Sequence, residues 1–410
     1  MIELDNNATS RPCPEAIEAA ERAMRELWHN PSSVHRAGQA ARNAVELARR
    51  DVAALIGASP REVTFTSGAT ESLMLAMRGL LASRGSAIRA RTNAAPVVVA
   101  SRVEHAAIRD QAEAMSREGL CEVVWCAVDR EGRITPDALR AVLSAHAGCV
   151  ALVALGWANN ETGVVQRIDE LSVACREAGT ILVCDATQWV GKMPTDVGTA
   201  GFGAGAALSD DRPGSGLDVM ALSAHKWHGL KGVGMLWVRR GVTLTPVTPG
   251  SHELGRRGGT ENVPGILAAG AAARAATAWL ESPEQRGSRR GLRNSLEQGI
   301  LQACPGAAVN GVGAERLWNT TNIAFPRLEA EGMLMLLSER GLNASAGAAC
   351  SSGSLEPSPV LLAMGVPEAL AHGSVRFSLS RDTTREEVER AVEVVAECAG
   401  RLSRSMPGAG

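Results

Sequence analysis

Tyrosine is absent from the 410 residues, and all aromatic types together supply only 3% of the chain. No tyrosine can therefore serve as an acid, a base or a stacking group. Lysine occurs only as Lys192, Lys226 and Lys231, although Lys and Arg together number 42. A compositional bias toward arginine explains the scarcity. Chemistry that needs an amine cannot accept that trade, because a guanidinium stays protonated and is a poor nucleophile. Net charge is −2, so there is no general pull toward nucleic acid or anionic membrane, and no direct nucleic-acid binding is expected. The nine cysteines are scattered and contain no CxxC pair, which argues against a disulfide framework or a zinc site and for a reducing, cytoplasmic setting. The "HKWH" run at 225–228 offers two histidines without a third ligand type nearby, so no metal site is expected. No uncharged run reaches the length of a membrane span; "NVPGILAAGAAA" is among the longest. The opening "MIELDNNATS" is acidic and polar where a signal peptide would be basic and then apolar.

What is present is an alternation. "EAIEAAERAMREL" and "QAARNAVELARRDVAALIG" carry helical periodicity, the second stopping at Gly57. Short apolar runs then recur as "EVTFT", "PVVVA", "EVVWCAV", "CVALVAL", "TILVCDA", "DVMALS" and "GMLWVRR", separated by polar or helical segments. Such strands imply an α/β domain with a mainly parallel sheet. From about Gly265 helical patterns dominate, with weaker strands at "NTTNIAF" and "SVRFSLS", as in a smaller α+β domain. The expected division is a large domain over 15–275 and a small one formed by 1–14 and 276–410. The glycine-rich segment 198–216 breaks the rhythm and reads as a flexible surface loop.

Ligands of open α/β sheets bind at the carboxyl ends of the strands, and three such ends are chemically distinctive. "VTFTSGATES" places Ser67-Gly68-Ala69-Thr70 before a helix, where exposed backbone N–H groups and the helix dipole favour an anion; small residues there also serve simply as caps. "TILVCDATQ" delivers Asp185, with Gln188 three residues on. The carboxylate suits a protonated ring nitrogen and the amide a ring oxygen, while a plain cap of the next turn is an equally good reading of Asp185. "DVMALSAHKWHGLKGVG" ends at Ser223, His225 and Lys226, and a lysine at the mouth of a sheet suggests a Schiff base. Lys231 reads as a surface charge, and Lys192 as either a supporting cation or a solvated one. An amine, an acid and a phosphate cradle at successive strand ends describe a pyridoxal phosphate site.

"NASAGAACSSGSLEPS", 343–358, holds a single thiol, Cys350, among residues that cannot build a core. It reads as a mobile arm that presents a nucleophile, with "SLEPS" tying it back to the small domain. The remaining cysteines, such as Cys126, Cys149 and Cys184, lie mostly in apolar runs and read as core.

These motifs, with "LDNNATS", "NPSSVHRAG", "VEHAAI", "WANNETGVVQ", "GRRGGTENVPGI" and "AHGSVRFSLSRDTT", resemble the cysteine desulfurases of the class V aminotransferase family, in the long-loop, nitrogen-fixation-type group. The resemblance spans nearly the whole chain. It implies a PLP-dependent transferase fold of the aspartate aminotransferase type and conversion of L-cysteine to L-alanine with a persulfide on Cys350. It implies Lys226 as covalent anchor and proton carrier, and His105 stacked on the cofactor and assisting proton transfer. It places Asp185 on the ring nitrogen, Gln188 on the phenolic oxygen, and Asn160 beside the ring oxygen and the substrate carboxylate. The phosphate falls to Ala69, Thr70, Ser223 and His225, joined by Thr260 from the other subunit of a homodimer, and the substrate carboxylate to Arg376. The implied acceptor of the sulfur is an iron–sulfur scaffold, including that of nitrogenase.

The same residues leave a selenocysteine lyase or a class V aminotransferase as alternatives, and a non-catalytic scaffold as an alternative of another kind. A transaminase needs no thiol on a loop. The segment 198–216 is longer than usual for the resembled group, and the ending "GRLSRSMPGAG" lacks the tail with which housekeeping desulfurases dock a scaffold, so docking through such a tail is not expected. Leu73-Met74 and Trp318 also depart from the pattern, at positions expected to stand clear of the chemistry.

Overall fold

All seven of the short apolar runs are strands of one sheet. The computed structural model describes residues 1–198, 216–346 and 357–405; Cys350 and most of the 198–216 segment lie outside them. In chain order, β1 (Ile2–Glu3), α1 (Pro14–Glu26) and α2 (Arg36–Leu55) precede an alternating series. That series is β2 (Val63–Thr66), α3 (Ala69–Thr92), β3 (Val97–Ser101), α4 (Ala106–Arg117), β4 (Glu122–Cys126), α5 (Pro136–Ala145), β5 (Val150–Gly156), α6 (Ile168–Glu177) and β6 (Ile181–Asp185). After β7 (Val219–Ser223) and β8 (Gly234–Val238) come the long helices α7 (Val263–Leu280) and α8 (Pro283–Ala303). The remainder is β9 (Ala308–Val309), β10 (Thr320–Ala324), α9 (Ala330–Glu339), β11 (Leu342–Asn343), β12 (Ser345–Ala346), α10 (Pro359–Ala363), α11 (Glu368–His372), β13 (Ser374–Ser378) and α12 (Arg385–Ser405).

The large sheet has the order β2-β8-β7-β6-β5-β3-β4. Only β8 runs against the rest, pairing antiparallel with both neighbours. Runs such as "VVVAS" and "VALVAL" are buried along their length, as strands covered by helices on both faces must be. One face packs under α1, α2 and α7, the other under α3 and α4. Helix α7 is long and apolar enough to resemble a membrane span, yet it is a core helix. Its small residues let it approach its neighbours closely: a Cβ on Gly270 would stand 2.8 Å from the Ala48 Cα of α2.

A second sheet, β12-β13-β10-β9, is antiparallel throughout and carries its own core with α8, α9 and α12. The first ten residues lace the two sheets together. β1 pairs with β11, Asp5 bridges Ser378 of β13, and the Ser10 amide donates to the His225 carbonyl below β7.

Candidate active site

A cavity of about 470 Å³ opens at the carboxyl ends of the large sheet. Ala69, Thr70, His105, Asn160, Asp185, Gln188, Ser223, His225, Lys226 and Arg376 all line it. Thr260 does not; it is exposed on its own loop. Cys350 lies outside the described residues.

The anion-binding corner is the N-terminus of α3. Gly68 caps it in an extended conformation, and β8 passes so close that a Cβ on Gly234 would lie 2.3 Å from the Gly68 carbonyl carbon. The Ser67 amide donates to Glu71 Oε2 at 2.6 Å, and Arg257 holds Glu71 from the other side. His225 Nδ1 sits 3.1 Å from Thr9 Oγ1. Burial, with Lys226 next in weight, pushes the His225 pKa down to about 4, so the ring is neutral near pH 7.

Asp185 caps the turn, its Oδ1 accepting from the Thr187 amide at 3.0 Å, and it also lines the cavity. His105 is the cap of α4, its Nδ1 accepting from the Ala107 amide at 3.1 Å. Lys226 Nζ donates to the main-chain carbonyls of Asn7 and Ala8 at 2.6 and 2.8 Å. Arg376, on β13, donates to Asp5 Oδ1 at 2.6 Å and to the Asn160 carbonyl at 3.1 Å.

Several residues missed in the sequence organise this site. Asn7 is fully buried and uses all its capacity: Nδ2 donates to the Asn160 carbonyl and Thr320 Oγ1, and Oδ1 accepts from Lys192 and Asn319. Its carbonyl accepts from Gln188 as well as Lys226. Glu104, next to His105, is buried on the cavity wall with Oε2 accepting from the Gly156 amide at 2.6 Å. Burial, and then the repulsion of Asp185, raises its pKa to about 8. Lys192 is buried rather than solvated, bonded to Gln188 and Asn7. Adjacency to His105 and the scarcity of lysine were the available signals for the last two.

Two expectations are corrected. Leu73 lines the cavity, and the Trp318 indole N–H donates to the Lys192 carbonyl at 3.0 Å, so neither stands clear of the site. Of "SLEPS", the expected tie to the small domain, only Pro357 and Ser358 lie within the described residues. Ser358 Oγ donates to Glu161 after β5, and Val360 and Leu361 of α10 pack with Val103 beyond β3.

The described cysteines offer no rival nucleophile. None lines the cavity, and burial pushes the thiols of Cys121 and Cys126 up to about 11 and that of Cys175 to about 12.

The aminotransferase class-V family model matches residues 2–391. Cysteine desulfurase 2 of Trichormus variabilis is 40% identical over 408 residues, covering 99% of this chain and 95% of its own. The chain belongs to the cysteine desulfurases of that family. A NifS-like protein of solved structure superposes with a TM-score of 0.84 at 30% identity, covering 98% of this chain and 100% of the other. The structure of SspA in complex with cysteine superposes at 0.76 with 27% identity, covering 94% and 100%. Membership of this family implies pyridoxal phosphate, and the residues of this member fit it. The cavity carries an amine at a strand end, a carboxylate opposite, and a helix N-terminus with hydroxyls. Three buried polar atoms of its wall, Glu104 Oε1, Thr187 Oγ1 and Arg376 Nε, lack partners among the described residues, as the wall of a polar ligand site would.

Proposed function

We propose that this desulfurase converts L-cysteine to L-alanine and carries the released sulfur as a persulfide on Cys350. The observation that carries the reading is the meeting of Lys226, Asp185, Gln188, His105 and Arg376 in one cavity. Pyridoxal phosphate, when bound, supplies an electron sink for charge released at the substrate Cα. Lys226 would anchor it, Asp185 would pair with its ring nitrogen, and Ala69, Thr70, Ser223 and neutral His225 would hold its phosphate, with Asn160 and Gln188 as partners for its ring oxygen and His105 as the residue against its ring.

Arg376 is pre-aimed by Asp5 and Asn160, and its guanidinium would bind the substrate carboxylate. Lys226 Nζ reaches the Asn7 and Ala8 carbonyls; as a neutral amine it would remove the substrate Cα proton, and the ammonium so formed would donate to those carbonyls until it returns the proton. The Cys350 thiolate forms an S–S bond to the substrate sulfur as the Cβ–S bond breaks; the carbon keeps the electron pair, takes a proton and leaves as L-alanine. The described chain on either side of the Cys350 segment supports this placement: Ser345 is paired opposite Arg376, and Ser358 bonds Glu161 beside Asn160.

The same reading extends to a cytoplasmic homodimer with Thr260 supplied in trans, to an iron–sulfur scaffold as acceptor with nitrogenase assembly as its narrower form, and to the division at 15–275. Purified protein with pyridoxal phosphate, L-cysteine and a thiol reductant should yield alanine and sulfide in equal amounts. Cys350→Ala should keep the cofactor's visible absorbance and lose the persulfide and at least ~100-fold in rate, the scale on which a covalent nucleophile acts. Undiminished desulfuration by that variant would sink the proposal.

A further inference from the structure

We infer that Lys192 is a positioning residue, which holds the Gln188 amide with its oxygen turned inward so that its nitrogen faces the ligand in the cavity. The inference rests on the cofactor reading above. Lys192 is 6% exposed and lies behind the cavity wall, whereas Gln188 is part of that wall. Its Nζ donates to Gln188 Oε1 at 2.5 Å and to Asn7 Oδ1 at 2.9 Å. The amine spends two hydrogens on two amide oxygens; protonated, it has no lone pair and turning either amide over would set N–H against N–H, and neutral, its single lone pair could accept from at most one turned amide.

The Gln188 nitrogen gives one hydrogen to the Asn7 carbonyl at 2.9 Å, which leaves its second for the cavity. Asn7 is fixed by the same amine: with Oδ1 on Lys192 and Asn319, its Nδ2 must face Asn160 and Thr320. The reach is set by the backbone. The Lys192 and Met193 amides both bond the Trp189 carbonyl, closing a turn through Gly191, in the left-handed region at φ 77°, that brings Lys192 back against Gln188. Trp318 clamps the Lys192 carbonyl. Burying an amine is costly, and here burial, with Lys226 and Arg376 as the facing cations, holds its pKa well below the usual lysine range. A chain that has replaced nearly all its lysines keeps this one against that cost.

The test is a pH titration of the visible absorbance of protein loaded with pyridoxal phosphate. Absence of a band in the wild type would overturn the cofactor reading itself, separately from Lys192. Given the band, Lys192→Met keeps the stem and removes the donors. Its midpoint should rise by about half a unit or more, because the ring oxygen loses the donor that Lys192 keeps turned toward it. Gln188→Met should shift it likewise, and the double variant no further than Gln188→Met alone. A Lys192→Met midpoint matching the wild type, or fully additive shifts, would overturn the inference. If Lys192→Met does not fold, a crystal structure of the loaded wild type decides: Nζ within hydrogen-bond distance of Gln188 Oε1 supports it, and Nζ turned elsewhere overturns it.

Discussion

A carboxyl group with one oxygen on the Gly156 amide and the other on nothing is costly to ionise, and Glu104 is placed so. Its folded pKa of about 8 lies above the 4.5 of an ordinary glutamate. A raised value means that the stability it contributes is full below the unfolded pKa and is lost as pH rises through the folded one. Cofactor-free wild type should therefore weaken between pH 6 and pH 9 by up to ~3 kcal/mol from this group, at about 1.4 kcal/mol per unit. Glu104→Gln keeps the shape and carries no charge, so its advantage over wild type should grow toward alkaline pH. Urea unfolding at the two pH values measures it; an advantage that is constant or shrinks would show Glu104 to be ionised throughout. The position beside His105 made it visible in the sequence, but its isolation from partners is a property of β5 passing beneath it, which no local pattern contains.

At the scale of elements, the phosphate corner depends on how near β8 comes to the start of α3. Gly234→Ala would drive a methyl into the Gly68 backbone, which cannot move without opening the turn. Overpacking of this kind costs about 1–3 kcal/mol, and affinity for pyridoxal phosphate should fall at least ~5-fold by the same free energy. Gly287→Ala in α8, where a Cβ meets open space, is the control and should stabilise by about 0.5–1 kcal/mol. Equilibrium dialysis with thermal unfolding reads both, and equal behaviour of the two variants would contradict the packing argument. Elements of this sort were legible: "VVVAS" and "ILVCD" are apolar without alternation, which only doubly covered strands require, and small residues before "ESLMLAM" mark a helix start facing a ligand. Asn7, Asp5 and Glu161 were not, because each sits in a polar turn whose meaning comes from partners far along the chain, such as Thr320, Arg376 and Ser358. Trp318 was misjudged for the same reason: its ring is distant in sequence from Lys192 and touching in space.

Among the described residues, one expected contributor lies outside the chain's own cavity. Thr260 is exposed on a loop whose base is fixed by Glu253, buried and bonded to both Arg49 guanidinium nitrogens and the Phe65 amide of β2. The same loop exposes Leu254, and across the Ser32–His252 contact Val34 is exposed as well. If Thr260 acts in trans, as proposed, a mixed dimer of Lys226→Ala and Thr260→Ala chains contains one site with both residues intact and one with neither. Random exchange at equal amounts puts half the dimers in that form, so on the order of a quarter of all sites should be complete. Alanine formation after exchange should rise toward that fraction of wild type, above the average of the two parents. If Thr260 served its own chain's cavity, each mixed site would keep one defect and mixing would restore nothing. The outcome therefore decides whether the unit of function is the chain or the pair.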